Sequence, residues 1–156
     1  MKIELAEEQD LSKILELQKR AFYSQALVYN DFKLAPLTQT QDEINEEFLC
    51  KPIYKVEKDG KIIASVRCTI DNDVLYVERL IVDPDYQNQG IGANILKELE
   101  NAYSNTVKRF KLFTGNKSEK SLHLYKKLGY REIKTEWLSE DYALVYLEKA
   151  NDLTTK

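Results

Sequence analysis

The sequence predicts an α/β protein of the mixed α+β kind, in which a central, mostly antiparallel mixed sheet of about seven strands carries helices on both faces. Three observations lead there. Hydrophobic spacing switches between alternation and i, i+3, i+4 periodicity in the order strand, helix, helix, three strands, helix, strand, helix, two strands. Val74 to Val82 is a near-continuous apolar run, as in a strand covered on both sides. That run stops at Pro84, and Gly90 and Gly92 then open a segment with helical spacing.

The chain of 156 residues is long enough for one domain with its own core, expected over residues 1–149 with a polar tail at 150–156. Charged residues at 31% and hydrophobic ones at 43% match an ordinary globular protein. A net charge of −3 gives no electrostatic footprint for nucleic acid. No apolar run reaches bilayer length and no signal-peptide core opens the chain, so no membrane partner and a cytoplasmic location are expected. Cys50 and Cys68 form no CxxC or Cys/His cluster, and the single His123 cannot build a metal site, so no metal is expected. Cys68 alternates with Val66 and Ile70 as a core residue would, Cys50 reads as a free thiol near the surface, and His123 as a surface helix residue.

Lys2 to Ala6 alternate charged and apolar side chains, a short strand with Ile3 and Leu5 inward. Leu11, Ile14, Leu15, Gln18, Ala21 and Phe22 then keep helical spacing, which predicts a helix from about Asp10 to Tyr23, acidic at its start and basic near its end. Periodicity fades from Ser24 to Thr40, a loop or broken helix, and Asp42 to Leu49 forms a short helix ended before Pro52. Ile53 to Lys58 and Lys61 to Ile70 flank Asp59-Gly60, a strong hairpin signal, and Asp71-Asn72-Asp73 turns the chain into the central strand. That strand holds adjacent charges, Glu78 and Arg79, which a regular pleat would turn to opposite covered faces; a bulge, a cleft or local splaying is needed there. Ile91, Ile95, Leu99, Ala102 and Tyr103 mark a helix ending near Ser104, Phe110 to Thr114 a strand, and Ser118 to Leu128 a helix stopped by Gly129. Tyr130 to Trp137 and Tyr142 to Lys149 pair as a last hairpin.

The loop before the glycines has its own chemistry. A helix start leaves backbone N–H groups unpaired at the positive end of the helix dipole, which suits an anion, and glycines let phosphate oxygens near the main chain. The run lacks the Gly-Lys-Ser/Thr ending of a P-loop and the third glycine of the dinucleotide fingerprint. It does read Gln87-Asn88-Gln89-Gly90-Ile91-Gly92-Ala93 after Val82-Asp83-Pro84.

That pattern resembles the acyl-CoA motif of the GNAT N-acetyltransferase superfamily, with Gln87, Gly90 and Gly92 conforming. Leu124-Tyr125-Lys126-Lys127-Leu128-Gly129-Tyr130 resembles the family's second signature, and the element order is similar to the GNAT fold over about residues 2–149. The resemblance implies acetyl-CoA as cosubstrate, its pyrophosphate on the amides of Gln87 to Ala93 and its pantetheine along Leu80, Ile81 and Val82. It implies Tyr125 as general acid to the leaving thiolate; packing beside Leu124 and Leu128 is the plainer alternative. Where members carry a cofactor-contacting asparagine this chain has Ser118, and Asn116 is two residues too early, so the hydroxyl of Ser118 or Ser121 would make a shorter contact. Glu78 matches one family position for the general base, with an ion pair to a basic side chain as its structural alternative.

The acceptor would be a primary amine of a small molecule or peptide, bordered by Tyr29, Asn30, Phe32, Gln41 and Tyr142, each of which could equally be ordinary packing. The acidic surroundings suit a cationic amine. A homodimer is an expectation drawn from the family. Two other readings remain open on sequence grounds: a noncatalytic acyl-CoA-binding or regulatory module, and a protein-interaction domain without a nucleotide ligand.

Overall fold

The computed structural model describes residues 2–152. One sheet of seven strands runs in the order β1-β2-β3-β4-β5-β7-β6. Its strands are β1 (Glu4–Leu5), β2 (Ile53–Lys58), β3 (Lys61–Asp71), β4 (Val74–Val82), β5 (Arg109–Gly115), β6 (Arg131–Trp137) and β7 (Ala143–Ala150). The helices are α1 (Leu11–Tyr29), the single turn α2 (Ala35–Thr38), α3 (Gln41–Cys50), α4 (Ile91–Ala102) and α5 (Glu119–Lys127). Only β4 and β5 pair in parallel; the other neighbours are antiparallel.

Two cores flank the sheet. Leu11, Ile14, Leu15, Leu17 and Ile44 of α1 and α3 meet Ile53, Ile62 and Ile81. Ile91, Ile95, Leu96 and Leu99 of α4 pack with Val66, Leu75, Val77, Phe110, Leu112 and Tyr125. Cys68 is buried and Cys50 exposed, as expected. The hairpin turns at Asp59-Gly60 and Asn72-Asp73 each carry two left-handed residues, which matches the twist of the strands they join.

Three local expectations change. The first helix runs to Tyr29 rather than Tyr23, because nothing from Ser24 onward breaks it until Asn30 takes a left-handed cap at φ 49°. Leu5 does not point inward; β1 is a two-residue edge strand, Leu5 is 63% exposed, and Ala6 is buried instead. The last strand reaches Ala150, and Asn151 is buried with its amide donating to the carbonyls of Ser104 and Val107, so the start of the expected tail belongs to the fold. Residues 153–156 of that tail lie outside the described residues.

The adjacent charges on β4 are resolved by a bulge. Ser65 faces Ile81 while Arg67 faces Glu78, so Arg79 and Leu80 together stand opposite Val66, and Arg79 sits at φ 51°. On the other edge, β4 pairs with β5 only at Val74, Leu75 and Tyr76. Beyond Tyr76 the strands diverge: β4 continues along β3 and β5 continues along β7. The wedge between them is where the site lies.

Candidate functional site

A cavity of about 700 Å³ opens between the ends of β4 and α5, walled by the second half of α1. Its size falls within the range of small-molecule sites. Leu80, Ile81 and Val82 give one edge, and Tyr86, Gln87, Asn88, Gly90, Ile91, Gly92 and Ala93 give the loop and helix start. Ser118, Ser121 and Tyr125 stand across from them. The loop is built by local chemistry: Asn88 and Gly90 are left-handed at φ 64° and 79°, and the Gln87 side-chain amide donates back to the Val82 carbonyl at 3.2 Å. Gly90 is needed for its backbone angle, since open space surrounds the place of a Cβ there. A Cβ at Gly92 would lie 3.5 Å from Leu124 Cδ2, so this glycine faces α5.

The first N–H groups of α4 begin at this loop, and an acidic side chain is absent from the helix's first turn. Such a helix start suits an anion. Ser118 Oγ is buried without a hydrogen-bond partner among the described residues, an orphaned hydroxyl at the cavity wall. The Tyr125 phenol is buried; burial pushes its pKa up to about 12, with a hydrogen bond to Ser121 working the other way. It therefore holds its proton at neutral pH, as a group that donates one must.

Glu78 lies elsewhere. Its carboxylate pairs with Lys51 Nζ at 2.8 Å and accepts from the Thr69 hydroxyl at 2.9 Å. It lines a second cavity of about 400 Å³ beside the end of α3, with Tyr76, Leu112, Phe113, Ile133 and Tyr146. Because Val77 and Leu112 of the diverging strands also line this cavity, it adjoins the wedge from a different side.

Among the acceptor candidates, Tyr29 alone lines the first cavity. Its hydroxyl accepts the Lys117 N–H at 2.7 Å and its ring packs against Tyr142 with centroids 4.7 Å apart, so Tyr142 enters through Tyr29. Asn30 is the cap of α1, Phe32 is 51% exposed against Tyr23, and Gln41 bonds Asn45 on the outer face of α3; these three do not border the cavity. Gln89 lies in the loop but does not line the cavity. The α1 wall also holds Ala21 and Phe22, which spacing placed on the helix without a role at the site, and Ser24, Gln25 and Val28, where periodicity fades. Outward-facing Leu27 at 58% and Val28 at 55% exposure had erased the amphipathic signal there.

The model of the Acetyltransferase (GNAT) family matches residues 9–130 of this chain. The chain belongs to the GNAT acetyltransferase family. Within it, the thialysine N-epsilon-acetyltransferase of Sus scrofa is 37% identical over 60 residues, which are 38% of this GNAT chain and 35% of that protein. The match thus spans about a third of that curated relative's length. The crystal structure of smu.2055 from Streptococcus mutans UA159 superposes with a TM-score of 0.83 at 13% identity, covering 97% of this chain and 100% of that one. YncA, a putative acetyltransferase from Salmonella typhimurium solved with its cofactor acetyl-CoA, superposes with a TM-score of 0.77 at 18% identity, covering 97% and 94%. These likenesses establish the GNAT fold of the mixed sheet. Among the described residues of this GNAT chain, no helix is long and apolar enough to cross a membrane.

Proposed function

We propose that the chain is an acetyl-CoA-dependent N-acetyltransferase acting on a primary amine of a small molecule or peptide by direct attack in a ternary complex. One observation carries this reading: the anion-ready helix start and the protonated Tyr125 line the same cavity, at the wedge where β4 leaves β5. The amides of 87–93 would hold the coenzyme's diphosphate, with the free hydroxyl of Ser118 as an added donor. The unpaired edge of Leu80, Ile81 and Val82 offers main-chain groups to the pantetheine arm, and an N–H there would stabilise the oxyanion.

In the reaction, the neutral amine nitrogen attacks the thioester carbonyl, the carbon–sulfur bond breaks, and the departing thiolate takes the phenolic proton of Tyr125. The amine's surplus proton would reach Glu78 by way of water, since that carboxylate lines the neighbouring cavity rather than this one. Because Glu78 holds Lys51, a cationic acceptor would enter by exchanging with that ammonium. The same ion pair favours a second reading, a noncatalytic acyl-CoA-binding module, since the carboxylate is engaged and lines the other cavity.

Two measurements decide. Calorimetry with acetyl-CoA is expected to give saturable binding that Gly90→Glu abolishes, through the like charge and the forbidden backbone angle. Free-thiol release across a panel of small amines and peptides is expected above the rate of hydrolysis alone. Binding without release would leave the module, and no binding would remove the coenzyme reading.

A further inference from the structure

Asp83 lies at the end of β4 with its side chain fully buried, yet it is a carboxylate outside the cavity. Its Oδ2 receives Arg20 Nη1 at 3.0 Å and its Oδ1 receives Arg20 Nη2 at 3.2 Å, a two-pronged contact from α1. Oδ1 also caps the Asp85 N–H at 2.9 Å, which shapes the short turn Pro84–Tyr86 leading into the loop. Lys61 Nζ of β3 approaches Oδ2 at 3.4 Å, and the Asp83 N–H bonds the Ile63 carbonyl at 2.7 Å. One carboxylate is thereby joined to the sheet, to the first turn of the loop and to α1.

The place of Arg20 on α1 gives this arrangement its meaning. The residues that follow it, Ala21, Phe22, Ser24, Gln25, Val28 and Tyr29, are the cavity wall, while the residues that follow Asp83 become the loop. Arg20 also approaches the Asp85 carboxylate of the turn at 3.6 Å. We infer that the Arg20–Asp83 pair is a positioning device for coenzyme binding, setting the loop against the α1 wall before the ligand arrives. This rests on the coenzyme reading above but adds a determinant of affinity that does not touch the cavity. A preorganised loop binds more tightly because the cost of ordering it is already met by the fold. The Arg20 side chain is 49% exposed but the Asp83 carboxylate is fully buried, so Arg20→Ala also lowers the melting temperature, and affinity is read well below the melting temperature of each variant.

The test uses the full chain and CoA, in wild type, Arg20→Ala, Arg20→Lys and, as a control, Arg109→Ala. Arg109 makes a longer, single-contact ion pair with Glu148 at 3.5 Å, is 59% exposed on β5, and lies outside the cavity, so it controls for the loss of a surface arginine. Arg20→Ala is expected to raise the Kd for CoA by about tenfold, with Arg20→Lys falling between it and wild type and Arg109→Ala within about twofold of wild type. Without ligand, amide exchange in Arg20→Ala should quicken across 84–93 and stay unchanged in α5. The inference is overturned on its own if wild type binds CoA and Arg20→Ala binds equally well, if the control weakens binding as much, or if Lys restores nothing. A wild-type chain that fails to bind CoA would overturn the coenzyme reading and this inference together.

Discussion

Tyr125 is held by two demands that seldom coincide. Its ring fills the core between α4 and α5, 6.2 Å from the Tyr130 centroid, and the same residue lines the cavity. Packing and proton donation are therefore not rival explanations of this tyrosine, as they are when only its spacing is known. Replacing it by Phe keeps the ring and removes the proton, so stability and CoA affinity should stay near wild type. Turnover should fall by about two to four orders of magnitude if the phenol is the acid. Single-turnover kinetics with acetyl-CoA and a competent amine separate these terms, and an unchanged chemical step would remove Tyr125 from the mechanism. Ser118 is the smaller case: the family position suggested a shortened contact, and its buried hydroxyl is unpaired among the described residues.

Elements defined by short-range spacing were legible in the sequence, and those defined by contact across the chain were not. Asp59-Gly60 announced a hairpin, the paired charges Glu78-Arg79 announced an irregularity that proved to be a bulge rather than simple splaying, and Gly90 announced the start of a helix. The second half of α1 announced nothing, because what fixes it lies far along the chain. Tyr29 bonds the backbone of Lys117 and packs on Tyr142, and the absence of a side chain at Gly115 makes room for its hydroxyl. Gln41 stands away from the cavity for a related reason: it follows the Thr40 cap, whose hydroxyl accepts from Glu43 N–H at 3.2 Å, and this fixes the first turn of α3 with Gln41 outward. Gly115 therefore offers a test of the α1 wall. Gly115→Ala would place a Cβ on the Tyr29 hydroxyl and is expected to cost about 1–3 kcal/mol, the usual range for overpacking. In a Tyr29→Ala background the same change should cost much less, and denaturant melts of the four proteins read the difference. Equal costs in both backgrounds would mean that Tyr29 does not occupy that space.

At the scale of the whole molecule, the helices α1 and α3 are pinned to the sheet by three separate carboxylates. Asp10 at the start of α1 meets Lys55 of β2 at 2.8 Å, Glu47 of α3 meets the buried Arg67 of β3 at 3.0 Å, and Asp83 meets Arg20. Burial pushes each of these acids up, but their hydrogen bonds and cationic neighbours outweigh it and hold all three below the ordinary carboxylate range. The sign follows from linkage. An acid whose folded pKa lies below its unfolded value contributes stability in full above the unfolded value, near 4 for these residue types, and loses it as pH falls through the folded value. Lys55 is raised through its bonds to Asp10 and Glu57, but the Asp10 contact is the same bond seen from the other side and counts once. Its share would be lost only as pH rises through the raised value, far on the alkaline side, so it does not oppose the acid trend. Unfolding free energy from urea melts should therefore be nearly flat from about pH 7 to 5 and fall increasingly steeply below about pH 4. In acid the unfolded wild-type chain binds a proton at Asp10 that the folded chain does not, whereas Asp10→Asn binds none in either state, so its acid limb should be shallower by up to about one proton per molecule. An acid limb as steep as that of wild type would show that the contact with Lys55 does not couple α1 to the sheet.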